Sequence, residues 1–195
     1  MHHIHHTEAF ILGSRPKGED SKILILFTRE LGLIYAHAQG VRKLSSKLRY
    51  VVQDFSQVQV DLVRGKEIWR LTTASAIHSY AHITNVRARE RILAHIAGLL
   101  IRLVPGEEVN EEVFQTLVRT YALLEGREKS AEEYRSLELL SVARILTALG
   151  YLSRAIPGIA PQQLFFEEVP KEFEDIAYQH RLIREINEAL AASQL

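Results

Sequence analysis

The chain has 195 residues, 47% apolar and 25% charged, which suits one large domain or two small ones with a real core. No apolar run reaches membrane-spanning length, and the absence of cysteine excludes a disulfide framework and a thiolate metal site. The net charge of zero hides an asymmetry: residues 1–80 carry 11 Lys and Arg against 7 Asp and Glu, while residues 81–195 carry 13 against 17. A basic front half points to a polyanion, and an acidic back half to something else.

The chain opens on His2, His3, His5 and His6. It lacks the cationic segment and apolar run of a secretory signal, and the absence of cysteine makes a reducing cytoplasm the expected home. Without cysteine or carboxylate companions in sequence, these histidines are expected to be disordered rather than to form a metal site.

Thr7 to Gly13 reads as a first strand, and Arg15-Pro-Lys-Gly-Glu-Asp-Ser as a turn cluster. Lys22 to Thr28 is a nearly continuous apolar strand. Leu33 to Ala38 is a third, entered through the tight reversal Glu30-Leu31-Gly32. The stretch from Gly40 to Tyr50 then carries Arg42, Lys43, Lys47 and Arg49, with no carboxylate between Glu30 and Asp54. Gly40, Ser45 and Ser46 make it an exposed loop. Such a loop can hold a phosphate backbone, and it can equally be solubilising surface.

Phe55 to Leu62 alternates, with Val58, Val60 and Leu62 on one face, the period of a half-buried strand. Arg64-Gly65-Lys66 turns the chain into a fifth strand, Glu67 to Ala74. Five short strands with the longest connection after the third fit an OB-type barrel. An SH3-like barrel fits the periodicity nearly as well.

From about Asn85 the apolar period becomes helical. Ile92, Ile96, Leu99, Leu100 and Leu103 mark one helix, ended by Pro105-Gly106. Asn110 is a candidate N-cap for a second, through Val113, Phe114, Leu117, Tyr121 and Leu124 to a stop at Gly126. Ser130 to Glu133 is a capping box opening a third, whose Leu137, Leu140, Ala143, Ile145 and Leu146 face a core and whose C-cap is Gly150. After a loop at Ile156 to Pro161, a last helical stretch carries Phe173, Ile176, Ile183, Ile186 and Leu190. The expected fold is α+β: a five-stranded OB-type barrel over 1–80 as a nucleic-acid-binding domain, then an all-α bundle over 81–195, with the boundary near 78–85.

No catalytic constellation emerges. There is no phosphate-cradling Gly-rich loop, no nucleophile elbow and no His-Glu-x-x-His. Glu107-Glu108 and Glu111-Glu112 flank a helix start, where a dipole role suffices. His37, His78, His82, His95 and His180 show no ligand spacing, and only His78 with His82 form a pair near the junction.

Several strings in order resemble the bacterial recombination-mediator family RecO. They are Arg15-Pro-Lys-Gly-Glu-Asp-Ser-Lys-Ile-Leu, Leu26-Phe-Thr-Arg-Glu-Leu-Gly-Leu-Ile, Ala38-Gln-Gly-Val-Arg-Lys, Ser46-Lys-Leu and Gln53-Asp-Phe-Ser. Less specific are Val113-Phe-Gln-Thr-Leu, Leu137-Glu-Leu-Leu and Leu149-Gly-Tyr-Leu, and the resemblance runs over about 8–152. It implies an N-terminal OB-fold and a helical domain. It also implies binding of single- and double-stranded DNA, strand annealing, and work with RecR and single-stranded DNA-binding protein in loading recombinase. Many members carry a four-cysteine zinc knuckle after the Leu-Gly-Tyr segment. Here Ser153 to Pro161 stand in that place and the tail is short, so no zinc or other cofactor is expected.

The sequence reading is thus a non-enzymatic DNA-binding protein with no membrane or small-molecule partner. Arg42, Lys43, Lys47 and Arg49, helped by Arg15, Lys17 and Lys22, would neutralise phosphates. Tyr35 and Tyr50 would stack on bases; Trp69 is a third candidate, though a lone tryptophan in a small barrel suits the core better. The rival is a protein-interaction adaptor with a structural barrel, and it gains if these seven cations scatter rather than converge on one face.

Overall fold

The computed structural model describes residues 3–78, 86–125, 127–153 and 169–192. The chain divides into two compact units, Met1–Asn85 with Leu93–Asn110, and Val86–Ile92 with Glu111–Leu195. Apart from His78, the boundary expected near 78–85 lies outside the described residues, as do His82, Gly126 and the loop at 156–161.

The first unit is built on five strands: β1 (Ile4–Lys17), β2 (Ser21–Thr28), β3 (Gly32–Ala38), β4 (Gln57–Arg64) and β5 (Trp69–His78). They close into a barrel in the order β1-β2-β3-β5-β4. All neighbours are antiparallel except β3 and β5, which pair in parallel at Ala36 with Trp69 and His37 with Arg70. This is the OB arrangement, and with the helices that follow it makes the fold α+β. Ile11, Leu24, Leu26, Ile34, Ala36, Val58, Val60 and Leu62 fill the interior. The alternation at Val58, Val60 and Leu62 therefore places one face of β4 inward, as its period demands.

Three local expectations are corrected. Arg15, Pro16 and Lys17 are strand, not turn: β1 runs on to Lys17, paired there with β2, while its pairing with β4 ends at Phe10. The segment past Gly13 is thus a sheet edge, where a missing proline N–H is tolerated. The N-terminal histidines described here are not disordered. Ile4, His5 and His6 pair with Val63, Leu62 and Asp61, and His6 Nδ1 lies 2.6 Å from Asp61 Oδ1, a carboxylate companion invisible in sequence. Finally, Phe55 is not strand. Its backbone is left-handed at φ 66°, held by its N–H donating to Ile11 O, and β4 begins at Gln57.

The stretch after β3 is not loop throughout. One helical turn, α1 (Leu48–Val51), lies within it, and Leu48 and Val51 pack with Val41 and Val52 against the barrel core. The loop is fastened to the β1–β2 turn: Arg42 N–H donates to Asp20 O at 2.8 Å, and Gly40 N–H to Ser21 Oγ at 3.1 Å. At the start of β3, Leu33 N–H donates to Gly106 O at 2.9 Å, so residues 104–108 lie across that strand.

Helices follow: α2 (Arg87–Leu103), α3 (Glu111–Glu125), α4 (Ala131–Ala148) and α5 (Ile176–Ala192), with a 3-10 turn at Lys171–Glu174. The apolar stripes named from sequence on α2, α3 and α4 are buried. Ser130 caps α4 reciprocally with Glu133. Gly150 closes it at φ 81°, with Tyr151 N–H donating to Leu146 O and Gly150 N–H to Thr147 O. The last stripe is corrected in part: Phe173 belongs to the 3-10 turn, and Ile176, at the helix start, is 66% exposed, while the helix buries the expected Ile186 together with Tyr178 and Leu182. Within the second unit Arg89 Nε donates to Tyr134 Oη, and Ser136 and Gln179 both donate to Phe173 O. Burial pushes Arg144 on α4 down to about 10, with Arg119 adding a like charge.

Candidate nucleic-acid interface

Directly opposed strand residues share a face of the sheet, so the pairing register sorts the cations. Arg15 stands opposite Ile23, and Ile23 opposite His37; Tyr35 is two residues from His37, and His37 pairs with Arg70. Arg15, Lys17, Tyr35, His37 and Arg70 therefore lie on the outer face of the β1–β2–β3 ribbon and its β5 neighbour. Lys22 stands opposite Pro16 and Ala38 on the other face, and its Nζ donates to Ser14 Oγ at 3.2 Å.

Some members of each group line a separate concavity, though His37 and Arg70 line neither. At the barrel end Lys22, Arg42 and Arg49 line a cleft with Val41, Val52 and Gln53, and no carboxylate is among its described lining residues. Arg42 Nη1 donates to Gly18 O at 3.1 Å, and Gln53 donates to the Arg49 carbonyl, which steadies both walls. The Arg49 guanidinium lies 5.2 Å from the centroid of the Tyr50 ring, and Tyr50 is 74% exposed. On the outer face Arg15, Lys17, Ile23 and Tyr35 line a second concavity with Ile68 and Glu67 from the β4–β5 connection. Burial first, then the charges of Lys17 and Arg70, holds the His37 imidazole below its ordinary 6.5.

The structure brings together Lys22, Arg42 and Arg49 from the sequence-derived set, and separately Arg15, Lys17 and Tyr35. Lys43 and Lys47 join neither lining. Lys43 Nζ faces Asp20 at 3.6 Å across solvent, and Lys47 is exposed ahead of α1. Sequence reading missed His37 and Arg70 as members of the outer group, because only the parallel β3–β5 register reveals them.

Trp69 is corrected as a stacking candidate. It is 4% exposed, with its indole N–H donating to Glu107 Oε1 at 3.1 Å, the Arg64 guanidinium 4.9 Å from its ring centroid, and His5 edge-on at 5.0 Å. Arg64 also pairs with Glu107. Among the described residues no three His, Asp or Glu side chains are placed to hold a metal, and no helix is long and apolar enough to cross a membrane.

A sequence model of the family "Recombination protein O N terminal" matches residues 1–80, the stretch that holds the barrel strands and both cation groups. The chain is 30% identical over 159 residues to the DNA repair protein RecO of Pelotomaculum thermopropionicum, covering 80% of this chain and 62% of that one. Residues 1–80 thus match a RecO N-terminal domain, and the chain is similar to RecO proteins beyond it. The RecO proteins of Dehalococcoides mccartyi and Heliobacterium modesticaldum are 31% and 33% identical over 139 and 121 residues. Those alignments cover 70% and 62% of this chain, and 55% and 44% of the relatives. The chain thus spans about half of these RecO proteins' lengths. The stretch expected to replace a RecO zinc knuckle lies, beyond Ser153, outside the described residues.

Proposed function

We propose that this chain binds single- and double-stranded DNA and anneals complementary strands in recombinational repair. In this reading it helps to load recombinase onto single-stranded DNA, with RecR and single-stranded DNA-binding protein as partners. The observation that carries the reading is the barrel-end cleft. Three cations from β2, the loop after β3 and α1 meet there with no carboxylate among the described lining residues. Such a seat takes up phosphates and releases their counterions. Similarity to RecO proteins, which are DNA repair proteins, supports the repair role.

The mechanism is electrostatic. Cations screen the repulsion between two phosphate backbones, exposed tyrosines hold bases off their neighbours, and the bases then pair by their own hydrogen bonds. No step needs a nucleophile or a general base, so the protein acts without catalysis. Of the seven cations named from sequence, Lys22, Arg42 and Arg49 line one cleft and Arg15 and Lys17 another, while Lys43 and Lys47 line neither. They do not converge on one face, so an adaptor with a structural barrel is the rival reading.

The test is the annealing rate of two complementary oligonucleotides, followed by energy transfer between end labels. The full chain should accelerate annealing at low salt, and Arg42→Gln/Arg49→Gln should lose most of that acceleration. Equal rates with and without protein would favour the adaptor.

A further inference from the structure

We infer that the barrel carries two separate single-strand sites, an outer-face site of Arg15, Lys17, Arg70 and Tyr35 and a barrel-end site of Lys22, Arg42, Arg49 and Tyr50, and that one chain holds two strands at once. This deepens the DNA-binding reading and rests on it.

Three observations support the division. The pairing register sends Arg15 and Lys17 to one face of the β1–β2 ribbon and Lys22 to the other, although Lys22 is opposite Pro16 between them. The two concavities have no lining residue in common. Each has its own exposed aromatic: Tyr35, 38% exposed, lines the outer concavity, and Tyr50 stacks beneath Arg49 at the barrel end.

Each site combines guanidinium or ammonium groups for phosphates with one tyrosine face for a base. That is the chemistry that recognises an unpaired strand. The outer site includes Arg70, which stands opposite His37 beside Lys17. It occupies the β2–β3 face and β4–β5 connection that OB barrels use for oligonucleotides. The barrel-end site is built largely from the long connection after β3, so the family's common fold and this chain's basic loop each supply one. Glu67 in the outer lining and its absence from the cleft make the outer site the weaker electrostatically.

Native mass spectrometry of the full chain with oligothymidylate of about eight nucleotides counts strands per chain directly. The expected result is two oligonucleotides on one chain. Arg15→Gln/Lys17→Gln/Arg70→Gln and Lys22→Gln/Arg42→Gln/Arg49→Gln should each leave one, and the six-fold variant none. Circular dichroism melts check that the variants fold, and the wild-type count requires no variant. A saturating count of one in the wild type, or loss of all binding in either triple variant, would overturn the two-site division while leaving DNA binding intact. No binding by the wild type would instead sink the DNA-binding reading itself.

Discussion

His37 on β3 stands directly opposite Arg70 on β5 in the parallel pairing that closes the barrel. Burial first, then the nearby charges of Lys17 and Arg70, disfavours the proton on its imidazole. The neutral ring is therefore expected at neutral pH, and protonation only below the ordinary 6.5. Bound phosphate should reverse this. An NMR pH titration should find the His37 midpoint below 6.5 in the free protein, higher in Lys17→Gln, and higher again with oligonucleotide. Because the folded value is lowered, the unfolded chain takes up this proton first, so His37 reduces stability as pH falls below 6.5. His37→Gln should remove that part of the acid sensitivity.

Trp69 and Glu107 form a structural pair within the first unit. Burial alone would raise the Glu107 carboxyl. Hydrogen bonds from Arg64 and Trp69, with the Arg64 charge, outweigh that and hold it below its ordinary 4.5. A lowered carboxylate contributes stability above its unfolded value and loses it as pH falls through the folded one. Glu107→Gln should therefore melt earlier than wild type at neutral pH, with the gap closing below pH 4.5. Trp69→Ala should cost about 3–5 kcal/mol in urea unfolding. Trp69→Phe should leave the salt dependence of DNA binding unchanged.

Gly32 opens β3 at φ 68°, and a Cβ built there would lie 2.3 Å from the Glu108 carbonyl oxygen. Both the left-handed backbone and that close approach require glycine. Gly32→Ala should destabilise by about 1–3 kcal/mol in denaturant unfolding.

The capping box at the start of α4 satisfies two backbone donors reciprocally, Ser130 with Glu133. Ser130→Ala should cost about 1 kcal/mol, read as a lowered urea midpoint for the helical unit. The annealing rate should be unaffected.

The strands and stripes were legible where periodicity alone decides. Val58, Val60 and Leu62 face the core, and the α2, α3 and α4 stripes are buried, because a sheet or helix with one apolar face must bury it. The ends of elements were not legible. Pro16 reads as a turn residue until β1 is seen to be an edge there, and His6 finds Asp61 only through pairing between residues 55 apart. The candidate site was half legible. Charge along the chain finds Arg42 and Arg49, yet it cannot separate Lys17 from Lys22, because their faces follow from strand register. Nor can it show that Lys43 faces Asp20.

The measurement that bears most directly on the central claim is single-stranded DNA affinity across a salt series, wild type against Lys22→Gln/Arg42→Gln/Arg49→Gln. Log affinity should fall linearly with log salt, and the variant's slope should be shallower by about 2, from a loss of roughly 0.7 for each of three contacts. A slope unchanged by the substitutions, or no wild-type binding at low salt, would contradict the assignment of the barrel-end cleft to phosphate.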